Sequence, residues 1–183
     1  VTTNHSSTAP ARDQAVRICP AWPYHDHVQA SAFDEPAFFR AIAASEVRAL
    51  LIGRRALVAL GMPVLTADYD FWIAADDAAR FNAALAPFDM VPTRSPDEAR
   101  RVGRYALEND EHVDVLVASA VSTHDGLRVA FDEVWTRRAQ VEVAAGVTIA
   151  MPSIDDLILT KRFAARPRDA DDIRWLERLK GAP

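Results

Sequence analysis

"LTADYDFWI", residues 65–73, sets two aspartates, Asp68 and Asp70, one residue apart inside an apolar and aromatic run. A charged carboxylate is costly to bury unless something compensates it, so the pair needs a physical reason. Alternation reads 66–74 as a β-strand, whose successive side chains point to opposite faces. Asp68, Asp70 and Trp72 then share one face, while Tyr69, Phe71 and Ile73 form ordinary core on the other. On the strand rise the two acids lie about 6.5–7 Å apart at Cα. Their oxygens can converge on one divalent cation or on two. A solvated face neutralised by arginine is the alternative for the pair taken alone.

The surroundings add to this. Upstream, "ALLIG" (49–53) is a short buried-strand pattern closed by glycine, and "RRALVALG" (54–61) reads as a short helix ending at Gly61. Glycine permits close backbone approach, and the N–H groups at such a strand-to-helix junction suit phosphate. Downstream, "RYALE" and "HVDVLVA" alternate as two strands joined at Asn109–Asp110. The second of them carries Asp114 between core-facing Val113 and Val115. A third acid on a neighbouring strand could complete a metal cluster, with a strand-edge acid as the alternative. His112 shares the face of Asp114, whereas His5, His25, His27 and His124 form no recognisable ligand set.

The remaining elements follow from periodicity and caps. "DEPAFFRAIAASEVRAL" (34–50) is helical with acids at its start, "DDAARFNAALAPF" (76–88) starts at Asp76 or Asp77, and "SPDEARR" (95–101) carries proline in its first turn. In the last third, "VAFDEVWTRRA" (129–139) is an amphipathic helix and "QVEVAAGVTIA" (140–150) a hairpin turning near Gly146. Ser153 caps a helix through 165, and Pro167 and Asp169 open the final one. The order predicts an α+β fold: a small mixed β-sheet flanked by helices, with a helical C-terminal part. The expected divisions are a flexible leader over 1–22, a core over 23–125 and a mostly helical part over 126–183.

Half of the 183 residues are apolar, enough for a sizeable core, and the net charge of −5 argues against coating nucleic acid by bulk electrostatics. A single cysteine, Cys19, excludes an internal disulfide framework and a cysteine-based zinc site. No run is long enough to span a bilayer, so no membrane partner and a cytoplasmic location are expected. Nineteen of the 21 basic residues are arginine, which singles out Lys161 against the background.

Taken together, "LLIGRRALVALGMPVLTADYDFWIA" and "HVDVL" resemble the nucleotidyltransferase superfamily, the fold of DNA polymerase β. Its pattern is a hydrophobic residue, a Gly-Gly or Gly-Ser pair, a short helix, then acid-hydrophobic-acid on a strand and a later third acid. The matching positions are Gly53, Asp68-Tyr69-Asp70 with thirteen residues between Arg54 and Asp68, and Asp114. "MPSIDDLILTKRFAARPRDADDIRWL" is similar to the AbiEii-like and MenA-like branch, through Ser153, Asp156, Leu157, Lys161, Arg166, Arg168 and Asp169, with Asp172 one turn on. One departure is Arg54, followed by Arg55, where the pattern has a small residue.

The resemblance implies a metal-binding, nucleotide-binding (ATP-binding type) enzyme that moves a nucleoside monophosphate from an NTP to a hydroxyl. Asp68, Asp70 and Asp114 would hold Mg²⁺ (or Mn²⁺), and Asp114 would help deprotonate the acceptor. Lys161 would neutralise the phosphates, with Arg166 and Asp169 supporting it or pairing together. Gly53, Arg54, Arg55 and Thr66 would meet phosphate, against surface ion pairs for the arginines and a turn for Thr66. Trp72 would stack a base or pack in the core. Implied partners are tRNA, as in toxin–antitoxin or phage-defence systems with a cognate antitoxin, or a small hydroxylated acceptor. An arginine-lined groove of Arg94, Arg100, Arg101, Arg104, Arg162 and Arg168 suits RNA or is simply solvated. A catalytically silent binding protein of the same fold is the third reading, favoured by Arg54.

Overall fold

The structure is a computed structural model that describes residues 33–123, 125–164 and 166–181. The expected leader, Cys19 and the histidines at 5, 25, 27 and 124 lie outside these residues.

The chain from Phe33 onward is built on a five-stranded mixed sheet in the order β1-β2-β5-β4-β3. Its strands are β1 (Ala49–Ile52), β2 (Tyr69–Ile73), β3 (Val91–Pro92), β4 (Arg104–Glu108) and β5 (His112–Leu116). β1 runs antiparallel to β2, β2 parallel to β5, and β4 antiparallel to both β5 and β3. The central β2/β5 pair is parallel because its connection carries helices α3 (Ala78–Leu85) and α4 (Pro96–Val102) as well as β4.

Alternation along the strands sends Leu51, Tyr69, Phe71, Val113, Val115 and Leu107 into the larger of two cores. Helix α1 (Glu35–Ala44) covers this face with Phe38, Phe39 and Ile42, and Phe81 of α3 packs on Phe71 with ring centroids 5.4 Å apart. Asp34 caps α1, its carboxylate accepting from the Ala37 N–H at 2.9 Å. Ser95 closes a full capping box with Glu98 at the start of α4.

The opposite face is divided. One end of it, Leu50, Trp72 and Leu116, packs against a second core of Val121, Val129, Phe131 and Val134. These come from the hairpin β6 (Ala120–Ser122) and β7 (Arg128–Ala130) and from helix α5 (Phe131–Thr136). The expected helix over 129–139 is therefore shortened. Val129 and Ala130 pair with Val121 and Ala120, and the chain turns helical only at Phe131. Trp72 is fully buried there, donating Nε1–H to the Ala118 carbonyl at 2.8 Å and meeting Phe131 edge-on. It packs, and is closed to any base.

The hairpin β8 (Ala139–Ala144) and β9 (Val147–Met151) turns at Gly146, and β9 lies against α1 and β1. Helices α6 (Ile154–Ala164) and α7 (Pro167–Lys180) complete the fold as an antiparallel pair, contributing Leu157 and Leu176 to the larger core. No helix among the described residues is long and apolar enough to cross a membrane.

Candidate active site

The acidic end of the divided sheet face is left open. Asp70 and Asp114 are register partners on the parallel strands β2 and β5, so their Cα atoms are about 4.8 Å apart across the ladder. On the far side of Asp70 lies Gly53, which follows β1 and begins helix α2 (Gly53–Ala59). Its φ of +67° is in the left-handed region, and a Cβ there would stand 1.9 Å from Asp70 Oδ2. Glycine is thus required twice, by backbone conformation and by the carboxylate pressed against it. Burial, then the Asp114 charge, and further the Asp68 charge raise the Asp70 pKa above its ordinary value; Lys161 and Arg166 act in the opposite direction. Gly53→Ala is expected to displace the Asp70 carboxylate by more than an ångström and to cut any turnover about 100-fold. Steady-state kinetics alongside a melting curve tests this, since a normal rate would show that the close approach is dispensable.

Across from the sheet, α6 and α7 supply a buried charge cluster. Lys161 is only 4% exposed, and its Nζ donates to Asp172 Oδ2 at 2.8 Å, with Asp169 Oδ1 at 3.9 Å. Arg54 reaches the same carboxylate through Nε and Nη2 at 3.3 and 3.2 Å. Burial works against the Asp172 charge, yet the hydrogen bonds from Lys161 and Arg54 win and hold its carboxyl below the usual range. Asp169 caps α7, accepting from the Arg166 N–H at 2.8 Å and from its Nε at 3.2 Å. Ser153 caps α6, accepting from the Asp156 N–H, and the Asp156 carboxylate accepts from the Ser153 hydroxyl and twice from Arg137. Each acidic residue of the "SIDD…RPRDADD" segment named for its likeness therefore has an intramolecular partner.

A cleft of about 260 Å³ opens between the acid pair and α6. Ile52, Gly53, Asp70, Asp114, Lys161 and Arg166 are among its walls. The structure brings these site residues together. Others fall elsewhere. Asp68 is exposed and precedes the first paired residue of β2, so strand parity does not hold it on the acid face as expected. Thr66 is half-buried in the segment leading to it. Arg54 turns to Asp172 and is absent from the cleft wall. Arg55 pairs with Glu35 at 3.1 Å and lies 4.4 Å over the Tyr69 ring. Both arginines are ion-paired, Arg54 with a buried carboxylate rather than at the surface. His112 sits between Glu108 and Asp114, at 3.5 and 3.4 Å. Of the six groove arginines, only Arg104 reaches the cleft.

Among the described residues no three Asp, Glu, His or Cys side chains gather as a preformed metal cage. Of the expected triad, Asp70 and Asp114 are adjacent, and Asp68 is exposed in the segment before β2 with its charge acting on Asp70. The pair still fits a hard divalent ion: the donors are oxygen only, and Mg²⁺ commonly takes one or two carboxylates and completes its shell with water and phosphate. A cation between Asp70 and Asp114 would also relieve the repulsion that raises Asp70. Sequence reasoning gave no role to Phe163 or Leu116 in this cleft, or to Asp172 as anchor of Lys161. The helical spacing of Lys161 and Phe163 carries no signal for which face meets a cleft, whereas Asp172, an acid at the centre of an amphipathic helix, was visible.

No family model matches the sequence, and no curated protein matches it. Solved structures do match in shape. A candidate nucleotidyltransferase from Thermotoga maritima superposes with a TM-score of 0.54 at 17% identity, over 78% of this chain and 90% of its own. The lincosamide antibiotic adenylyltransferase LnuA, solved with lincomycin bound, gives 0.53 at 15%, over 78% and 96%. The antibiotic-resistance factor ANT(2″)-Ia gives 0.51 at 12%, over 77% and 79%. At these identities the likeness is one of fold. With the mixed sheet and its helical C-terminal pair, it establishes that this chain shares the fold of these nucleotidyltransferase structures.

Proposed function

We propose that this chain is a Mg²⁺-dependent nucleotidyltransferase that moves a nucleoside monophosphate from an NTP to a hydroxyl of a small molecule. The reading is carried by one observation: Asp70, pressed against Gly53 and in register with Asp114, lies on the wall of a cleft that Lys161 also borders. Two fold neighbours with antibiotic-related activities support a small acceptor over RNA.

In this mechanism Asp70 and Asp114 would hold the cation, with the Asp68 charge acting beside Asp70. When bound, the ion supplies positive charge to the phosphate oxygens. Lys161, fixed by Asp172, adds charge from the helical side, and Arg166 stands beside it. The acceptor hydroxyl oxygen bonds to the α-phosphorus as the bond to the β-phosphate oxygen breaks. Pyrophosphate leaves, and the hydroxyl proton passes to Asp114 or to water. Orientation of the two substrates in the cleft supplies much of the acceleration.

Incubation with each labelled NTP, Mg²⁺ and separate acceptor pools tests this. Pyrophosphate release that requires a small hydroxylated acceptor is the expected result. Label on total tRNA would instead favour the toxin-branch reading, for which the "SIDD…RPRDADD" segment is the sequence support. No release with any acceptor, from a fully folded protein, would favour the catalytically silent reading.

A further inference from the structure

Resting on the transfer reading above, we propose that the acceptor is an uncharged, hydroxylated molecule with one apolar face, and that Phe163 is the residue that selects it. The carboxylates lining the cleft, among the described residues, are Asp70 and Asp114. Both are committed to the metal in the transfer chemistry, so none is left to receive an ammonium group. The cations that border it are Arg104, Lys161 and Arg166. A polycationic acceptor would find no carboxylate of the wall left to pair with, and would meet the Arg104 cation at close range in a partly desolvated space.

The rest of the wall is apolar. Phe163 is 47% exposed on α6, two residues beyond Lys161, at a position where an aromatic ring gains little from the core. Leu116 and Val121 line the same cleft. Leu116 is two residues beyond Asp114 on β5, on the same side of the sheet. An apolar surface thus begins within one strand repeat of the group that would take the acceptor proton. This is the arrangement of a small-molecule site, with an apolar wall for the body and a few polar groups for orientation.

The test is direct binding to the whole chain, read by calorimetry in Mg²⁺ without nucleotide. The probes are chloramphenicol and octyl glucoside as neutral hydroxylated amphiphiles, glucose as the version without an apolar face, kanamycin as a polycation and total tRNA as a polyanion. The expected result is binding of at least one amphiphile, at least about tenfold tighter than glucose or kanamycin, and weakened about tenfold in Phe163→Ser. As Phe163 is half exposed, the variant keeps its fold, which an unchanged melting temperature verifies. In turnover, the same variant is expected to raise the acceptor KM while leaving the NTP KM unchanged. Tighter binding of kanamycin or tRNA, no binding of either amphiphile at millimolar concentration, or an amphiphile affinity indifferent to Phe163→Ser would overturn the proposal. Amphiphile binding with no pyrophosphate release would sink the transfer reading alone.

Discussion

Asp172→Ala is expected to cost the fold about 3–5 kcal/mol, the range for breaking a buried ion pair by removing one partner. Asp172 is fully buried and accepts from both Lys161 and Arg54, joining α6, α7 and α2. Alanine would leave the Lys161 ammonium buried with only Asp169 Oδ1 nearby, at 3.9 Å. At about 2–4 °C per kcal/mol for a chain of this size, the melting temperature would fall by roughly 6–20 °C. Because the Asp172 pKa is held below the usual range, this stability is fully present above the ordinary carboxylate pKa. It disappears only as pH falls through the lower, folded-state value. The gap between wild type and variant is therefore expected to be widest near pH 7 and to close in strong acid. Denaturant melts at both pH values test this, and a loss below 1 kcal/mol at pH 7 would mean that Lys161 readily finds another partner.

Asp70→Asn is expected to lower turnover by about 10³-fold or more, some 4 kcal/mol of transition-state stabilisation, while raising the stability of the metal-free protein. The second effect follows from the sign of the Asp70 shift. Burial, Asp114 and Asp68 raise its folded-state pKa, so ionising it costs the folded chain more than the unfolded one. That cost appears as pH rises from the unfolded carboxylate pKa through the folded one, and is present in full above it. Asparagine is never charged, so the variant is expected to melt a few degrees higher at neutral pH, an increment typical of relieving a strained functional site. Mg²⁺ is expected to raise the melting temperature of wild type and to leave the variant unmoved. A variant that retains most of its turnover would remove Asp70 from the chemistry. A variant that melts lower than wild type would mean that its hydrogen bonding outweighs the repulsion.

The strands and most helices were legible from short-range pattern. Tyr69, Phe71 and Ile73 alternate with Asp70 and Trp72, Ser95 stands three residues before Glu98, and glycine follows β1. Each is a local rule with a local cause. The segment 129–139 was misread because its apolar spacing satisfies a helix, while the β6/β7 pairing that competes for Val129 and Ala130 depends on Val121 and Ala120, eight to ten residues away. The expectation for Asp68 rests on parity, which a ladder fixes only from Tyr69 onward, so its place beside Asp70 is set by the preceding loop rather than by the strand.

The candidate site residues Asp70, Asp114, Lys161 and Gly53 were readable as types at a spacing, and so was the α+β order of elements, because hydrophobic period and capping are written in neighbouring residues. What each side chain faces was decided by tertiary structure. Arg54 resembled a residue for phosphate or a block to it, and became the second ligand of a carboxylate 118 positions away. Trp72 shares its face with Asp70, yet one is sealed by Phe131 and the other borders a cleft. Both outcomes depend on which distant element covers which half of one sheet face, a long-range packing choice that no local pattern encodes.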